Sequence, residues 1–194
     1  KGNVVAADYI IEKYGADTMR LYILFMGPPE KDAEWQDEGL QGCRRFLNRA
    51  LRLVSILKEY PDTACDGEEK IESALRKKIH ATIKSVTDDL EGNFQFNTAI
   101  SRVMELVNQT HKTIQSGIIR KELLAEAVET IFVLLAPFTP HVSEEVNEAL
   151  GNKASVMNRC WPAYDQSCLQ EKEVEVVVQI NGKVRAKITV SSSA

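Results

Sequence analysis

Arg45, Arg49 and Arg52 stand at i, i+4 and i+7, which places them within about 60 degrees of one another on a helix of 3.6-residue period. Three guanidinium groups stepping ~5–6 Å apart can follow a phosphate strand with forked hydrogen bonds. Arg44 lies about 100 degrees away and points to a different surface. The same three arginines also suit a solvated helix face, covering apolar surface or pairing with the acidic stretch of Asp32, Glu34, Asp37 and Glu38. Near the C-terminus Lys183, Arg185 and Lys187 alternate along a strand and share a face. They suit the same anionic partner, or cross-strand pairing with Glu175 worth ~0.2–1 kcal/mol. A third run, Arg76-Lys77-Lys78 with Lys84, winds around its helix and reads first as solvated surface.

Other chemistry finds little support. Cys43, Cys65, Cys160 and Cys168 form no Cys-x-x-Cys pair, and His80, His111 and His141 lie far apart. No zinc spacing is visible, so no metal ligands are assigned. The net charge of −4 argues weakly against nucleic acid, but phosphate binding needs a local cationic surface rather than a basic average. No apolar run approaches the ~20 residues of a membrane span. The N-terminus lacks the apolar core of a signal peptide. The chain is expected to be cytoplasmic, with no membrane partner.

The elements that must position these groups are mostly helical. The 194 residues, 44% of them hydrophobic, suit one large domain or one domain with a small appendage. A short helix is predicted over 7–14, stopped by Gly15, with Asp17 capping or entering the first turn of a second helix. Gly27-Pro28-Pro29 ends that one. A polar loop carries Trp35, which either stacks on a base or ribose or anchors the loop onto the helices. A long helix over about 38–60 carries Leu40, Cys43, Leu47, Ala50, Leu51, Val54 and Leu57 at helical spacing. A second stripe runs from Ile71 through Leu75, Ile79, Ile83 and Val86 to Leu90. Another helix begins near Asn97 as N-cap, and Gly117 breaks it. The next, over about 120–136, is apolar on much of its surface and should lie centrally. Thr139-Pro140 has the N-cap and N1 chemistry of a last helix, which ends at Gly151. Helices with such stripes bury them most simply against one another, as an antiparallel helical bundle.

Beyond Ser155 the chain turns irregular, with Trp161-Pro162 as a clamp for the crossing segment. A β-hairpin is then expected, Glu173 to Ile180 and Lys183 to Val190, around Asn181-Gly182. A three-residue loop with Gly182 left-handed would pair Val178 with Val184, Val176 with Ala186 and Val174 with Ile188, giving one dry and one charged face. A lone two-stranded ribbon is marginal in water, so it should either pack on the bundle or, the favoured reading, belong to a further domain.

Several blocks resemble one family. Lys1-Gly2-Asn3-Val4-Val5 and Tyr14-Gly15-Ala16-Asp17-Thr18-Met19-Arg20-Leu21 resemble the stretch after the mobile lysine-serine loop of class I aminoacyl-tRNA synthetases. They are followed in order by Pro28-Pro29-Glu30, Glu34-Trp35, Gly39-Leu40-Gln41-Gly42 and Arg45-Phe46-Leu47-Asn48-Arg49. Phe96-Asn97-Thr98-Ala99-Ile100, Ala136-Pro137-Phe138-Thr139-Pro140-His141 and the closing Val178-Gln179-Ile180-Asn181-Gly182-Lys183-Val184-Arg185 complete the series. Any one block is weak. Their order is similar to leucyl-tRNA synthetases of the bacterial type over nearly the whole chain. One departure is Val146-Asn147, where that family usually carries Leu-Trp.

The resemblance implies a mainly α fold: the helical anticodon-binding bundle of class I synthetases with a C-terminal β-hairpin. The implied division is 1–36 as the end of the catalytic domain, 37–154 as the bundle, and 155–194 as a linker and hairpin opening the C-terminal domain. The implied role is tRNA docking within a leucine–tRNA ligase, which joins leucine to its tRNA using ATP with Mg. Leucine tRNA and the preceding catalytic domain are the implied partners, and a monomer is expected. No catalytic residue is assigned within the chain and no cofactor is expected to bind it; Lys1, Gly2 and Asn3 would at most flank the ATP site. Arg45, Arg49, Arg52, Lys183, Arg185 and Lys187 are the expected tRNA-binding residues. The rivals are the same tail of a valyl or isoleucyl enzyme, or a helical protein-interaction module without RNA binding.

Overall fold

The computed structural model describes residues 6–27, 34–62, 69–92, 94–117 and 119–169, with the backbone of 173–180 and 183–191. Two packing units result, Lys1–Tyr164 and Asp165–Ala194.

The first unit is helical among its described residues. Its helices are α1 (Ala7–Tyr14), α2 (Ala16–Phe25), α3 (Asp37–Glu59), α4 (Glu69–Glu91), α5 (Phe96–Ser116), α6 (Lys121–Leu135) and α7 (Pro140–Ala149). A 3-10 turn follows at Val156–Asn158. As its apolar surface demands, α6 sits centrally: every residue from Thr130 to Leu135 is buried, and the helix touches α3, α4, α5 and α7. The stripe of α4 buries Leu75, Ile79, Ile83 and Val86, mostly against α5. The seam of α3 differs from the expected one by a single residue. Leu53 is fully buried, whereas Leu51 is only half-buried, which leaves Leu51 free to line a surface feature described below. Helix α2 packs on α3, α5 and α7, so the segment before α3 belongs to the first packing unit.

Two caps differ from expectation. Helix α5 begins at Phe96 with no side-chain cap, and Asn97 lies inside the helix with its Oδ1 buried and unpartnered among the described residues. The Phe96 ring packs edge-on to Phe138 at 6.2 Å between centroids, which draws the helix start back ahead of Asn97. At α7 the Thr139 hydroxyl gives no cap and instead donates back to the Leu135 carbonyl at 3.2 Å. The cap comes from Asp17 on α2, whose Oδ2 accepts from Val142 N at 2.7 Å.

The departure at Val146-Asn147 is absorbed by the exit segment. Val146 and Asn147 are both buried. Asn147 donates from Nδ2 to the Ala154 carbonyl at 2.7 Å, and its Oδ1 accepts from Arg159. An amide at this position therefore ties down the crossing segment through hydrogen bonds. Trp161 acts as the expected clamp, donating from Nε1 to Thr87 Oγ1 at 2.9 Å.

The second unit holds a short helix α8 (Gln166–Leu169) and two antiparallel strands, β1 (Glu173–Ile180) and β2 (Lys183–Ser191). Val174 pairs with Val190, Val176 with Ile188 and Val178 with Ala186. The register then shifts, so Gln179 pairs with Val184 and Ile180 with Lys183. This corrects the expected pairing of Val178 with Val184 by two residues. A two-residue slip preserves strand alternation, so hydrophobic pattern alone cannot separate the two registers. The irregularity falls at Val178/Gln179, opposite Arg185; the left-handed Gly182 expected from sequence lies outside the described residues.

Candidate nucleic-acid interface

Helix α3 is held against α2 by a close approach that needs glycine. A Cβ on Gly39 would lie 2.6 Å from Cε2 of Tyr22. That ring is buried, and its hydroxyl accepts from Gln36 N at 2.7 Å. Trp35 packs edge-on to the same ring, 4.9 Å between centroids, and donates from Nε1 to Asp37 at 2.9 Å. Trp35 therefore anchors the start of α3, the second of the two readings open for it.

On the outer side of α3, Arg45, Arg49 and Arg52 are all exposed. They line a shallow groove of about 660 Å³ with Asn48, Leu51 and Ser55. Among the described residues no carboxylate lies within ion-pair distance of any of the three. Asp37 is occupied by Trp35 instead, and Asp32 lies outside the described residues. Beneath the row, His111 of α5 is buried and its Nε2 sits 2.9 Å from the Arg49 carbonyl. A carbonyl only accepts, so that nitrogen carries the proton.

The other basic run is engaged. Arg76 pairs with Glu126 at 3.3 Å, Lys78 with Glu105 at 2.7 Å and Lys84 with Asp88 at 2.6 Å. Lys78 donates to the Glu105 carboxylate and holds its pKa below the ordinary value. These cations are balanced locally, as a solvated helix surface predicts.

Next to the arginine groove lies a cleft of about 330 Å³ between the α1–α2 turn, α3 and α7. Leu47, Leu51 and Val142 supply its apolar wall, while Arg44, Asn48 and His141 supply polar groups. Gly15 joins α1 to α2 at φ 87° and ψ 151°, backbone essentially restricted to glycine. The turn is fixed twice. Arg44 donates from Nη1 to the Tyr14 carbonyl at 2.5 Å. Asp17, 5% exposed, accepts from Val142 N and lies 2.8 Å from His141 Nδ1. Arg20 adds bonds to the Pro137 and Phe138 carbonyls. Asn48 and Leu51 line both the cleft and the groove, so the two form one surface along α3.

Sequence reasoning found the arginine row and missed the cleft. Arg44 was expected on a different surface, and it does line the cleft rather than the groove. Asp17 and His141 lie 124 residues apart, and no local pattern links them. Lys1, Gly2 and Asn3 lie outside the described residues, as do the side chains of Lys183, Arg185 and Lys187. Among the described residues no group of three or more His, Cys, Asp or Glu could hold a metal, and no helix is long and apolar enough to cross a membrane. The thiol of Cys43 is pushed up to about 11 by burial, which leaves it unreactive.

The helical bundle thus carries a cationic row along α3 with a cleft beside it. Residues 72–194 match the model of the anticodon-binding domain of tRNA ligase, and the chain belongs to that family. It is 51% identical over 193 residues to a leucine–tRNA ligase of Thermosipho melanesiensis, covering 97% of this chain and 24% of that protein. It is 47% identical over 197 residues to a leucine–tRNA ligase of Thermotoga petrophila, covering 98% and 24%. The chain thus spans about a quarter of the length of these relatives. Among solved structures it is similar to LeuRS of Agrobacterium radiobacter K84 in a ternary complex with tRNA and LeuAMS. The TM-score is 0.80 at 30% identity, over 98% of this chain and 25% of that one. Methionyl-tRNA synthetase of Mycobacterium tuberculosis shares the fold, with a TM-score of 0.60 at 17% identity over 77% of this chain and 35% of that one.

Proposed function

We propose that this chain is the tRNA-docking portion of a leucine–tRNA ligase, and that the outer side of α3 meets the tRNA backbone. The observation that carries this reading is the row of Arg45, Arg49 and Arg52, exposed and without a carboxylate partner among the described residues. Unpaired guanidinium groups at helical spacing give phosphate contacts that position a nucleic acid without reading its sequence. Leucine specificity is supported by the relatives, which are leucine–tRNA ligases at 47–51% identity. On this reading leucine activation with ATP and Mg belongs to the part of the enzyme that this chain does not span. Strands β1 and β2 then open a further domain whose Lys183, Arg185 and Lys187 meet the same tRNA. The register shift at Val178/Gln179 nevertheless sets Lys183 and Lys187 on opposite faces rather than on the one face expected from sequence. Lys1, Gly2 and Asn3 flank the ATP site only when the catalytic domain precedes them.

Titration of a leucine tRNA transcript with the chain at low salt, followed by fluorescence anisotropy, tests the docking role. A saturable complex that weakens steeply toward physiological salt is expected. Absence of any complex would leave the chain a protein-interaction module. The same preparation should give no leucine-dependent pyrophosphate exchange, and detectable exchange would overturn the assignment of catalysis to another part.

A further inference from the structure

We infer that the cleft between the α1–α2 turn, α3 and α7 takes one ribonucleotide of the bound RNA and that His141 reads its 2′-hydroxyl, a conclusion that rests on the docking role above. The volume of about 330 Å³ stands at the lower end of small-ligand pockets, enough for one nucleoside and too small for stacked bases. Leu47, Leu51 and Val142 offer apolar surface to a base or ribose. Because Asn48 and Leu51 also line the arginine groove, a strand following Arg45, Arg49 and Arg52 passes the cleft mouth.

The polar groups divide by what they can give. Arg44 spends one N–H on the Tyr14 carbonyl and keeps its other donors for a phosphate. His141 differs. Its side chain is 76% exposed, and its Nδ1 is held 2.8 Å from Asp17 Oδ1. Asp17 is itself fixed by Val142 N, so Nδ1 carries the proton that this carboxylate accepts. With Nδ1 committed to Asp17, Nε2 is the ring nitrogen left facing outward. The guanidinium groups of α3 already serve the phosphates, so the group left for Nε2 is the next one along the strand. That group is the ribose 2′-hydroxyl, which both donates and accepts and so suits Nε2 in either role. Asn48, which both donates and accepts, suits the edge of the base.

The test is interference mapping. A pool of leucine tRNA transcripts carrying scattered 2′-deoxy substitutions is selected for binding to the chain, and the weakened positions are read. Wild-type protein should show a position at which loss of the 2′-hydroxyl weakens binding by about tenfold. His141→Phe should erase interference at that position and leave all others. Leu51→Trp, which fills the mouth that the cleft shares with the arginine groove, should weaken binding several-fold, and an unchanged salt dependence assigns that loss to the cleft rather than to the phosphate contacts. An interference map unaltered by His141→Phe, or full affinity with Leu51→Trp, overturns the inference and leaves the docking role standing. The same results follow if a peptide segment of the parent enzyme occupies the cleft. Failure of the wild-type chain to bind tRNA overturns both.

Discussion

Removing the Asp17 carboxylate should cost far more than its two contacts suggest at first sight. The group is 5% exposed and joins α2 to the start of α7 through Val142 N at 2.7 Å and His141 Nδ1 at 2.8 Å. In Asp17→Ala the Val142 N–H loses its partner at a helix N-terminus, a loss of about 1–3 kcal/mol. The favourable charge at that terminus disappears as well, worth roughly 0.3–2 kcal/mol. The sum is about 1.3–5 kcal/mol, or roughly 3–20 °C in Tm for a domain of this size. Asp17→Asn keeps an acceptor for Val142 and should lose about half as much. His141→Ala removes a side chain that is 76% exposed and should cost about 0.5–1 kcal/mol. Urea and thermal unfolding followed by far-UV circular dichroism give the three values directly. If His141→Ala proves as costly as Asp17→Ala, the carboxylate is not the cap of α7 and the account of the α2–α7 junction is wrong.

Three further perturbations separate other parts of the packing. Glu72, with its side chain 6% exposed, pairs with Arg120 Nη2 at 2.6 Å and also accepts from Arg120 N and Nε at 2.7 and 2.8 Å. Hydrogen bonds from Arg120 hold its carboxyl below the ordinary value. That stability is therefore present above the unfolded pKa and lost as pH falls through the folded one. Glu72→Gln should cost about 1.5–3 kcal/mol at neutral pH and flatten the loss of stability below about pH 4; an unchanged acid limb removes Glu72 as its source. Gly39→Ala drives a Cβ to 2.6 Å from Tyr22 Cε2 and should destabilise by about 1–2 kcal/mol despite the better helix propensity of alanine. Gly42→Ala meets nothing nearer than 3.9 Å and should instead stabilise by about 0.5–1 kcal/mol; opposite signs in urea denaturation are the check.

What was legible from residues alone follows from how each feature is encoded. Stripes such as Leu75, Ile79, Ile83 and Val86 repeat with the helix period, and that period placed α4 and most of α3. The arginine row was visible for the same reason. Leu51 was counted into the α3 stripe because its type fits, but the helix turns it half outward into the cleft. Thr139 has the right chemistry for a cap, and a carboxylate from α2 displaced it. Pairings such as Asp17 with His141 depend on tertiary approach, and local spacing carries no trace of them. The hairpin register failed on a true degeneracy, since slips of two residues look alike in hydrophobic pattern. The resemblance named the fold at once, yet it gave no hint that Arg76, Lys78 and Lys84 would be neutralised by Glu126, Glu105 and Asp88.

The central claim is that α3 presents its arginines to a phosphate backbone. It is tested most directly by the slope of log binding constant against log salt for leucine tRNA. Each lost phosphate contact should reduce that slope by about 0.7–0.9, so Arg45→Ala with Arg49→Ala and Arg52→Ala should lower it by roughly 2–3. A slope identical to wild type, in a variant whose helical spectrum is intact, would contradict the account.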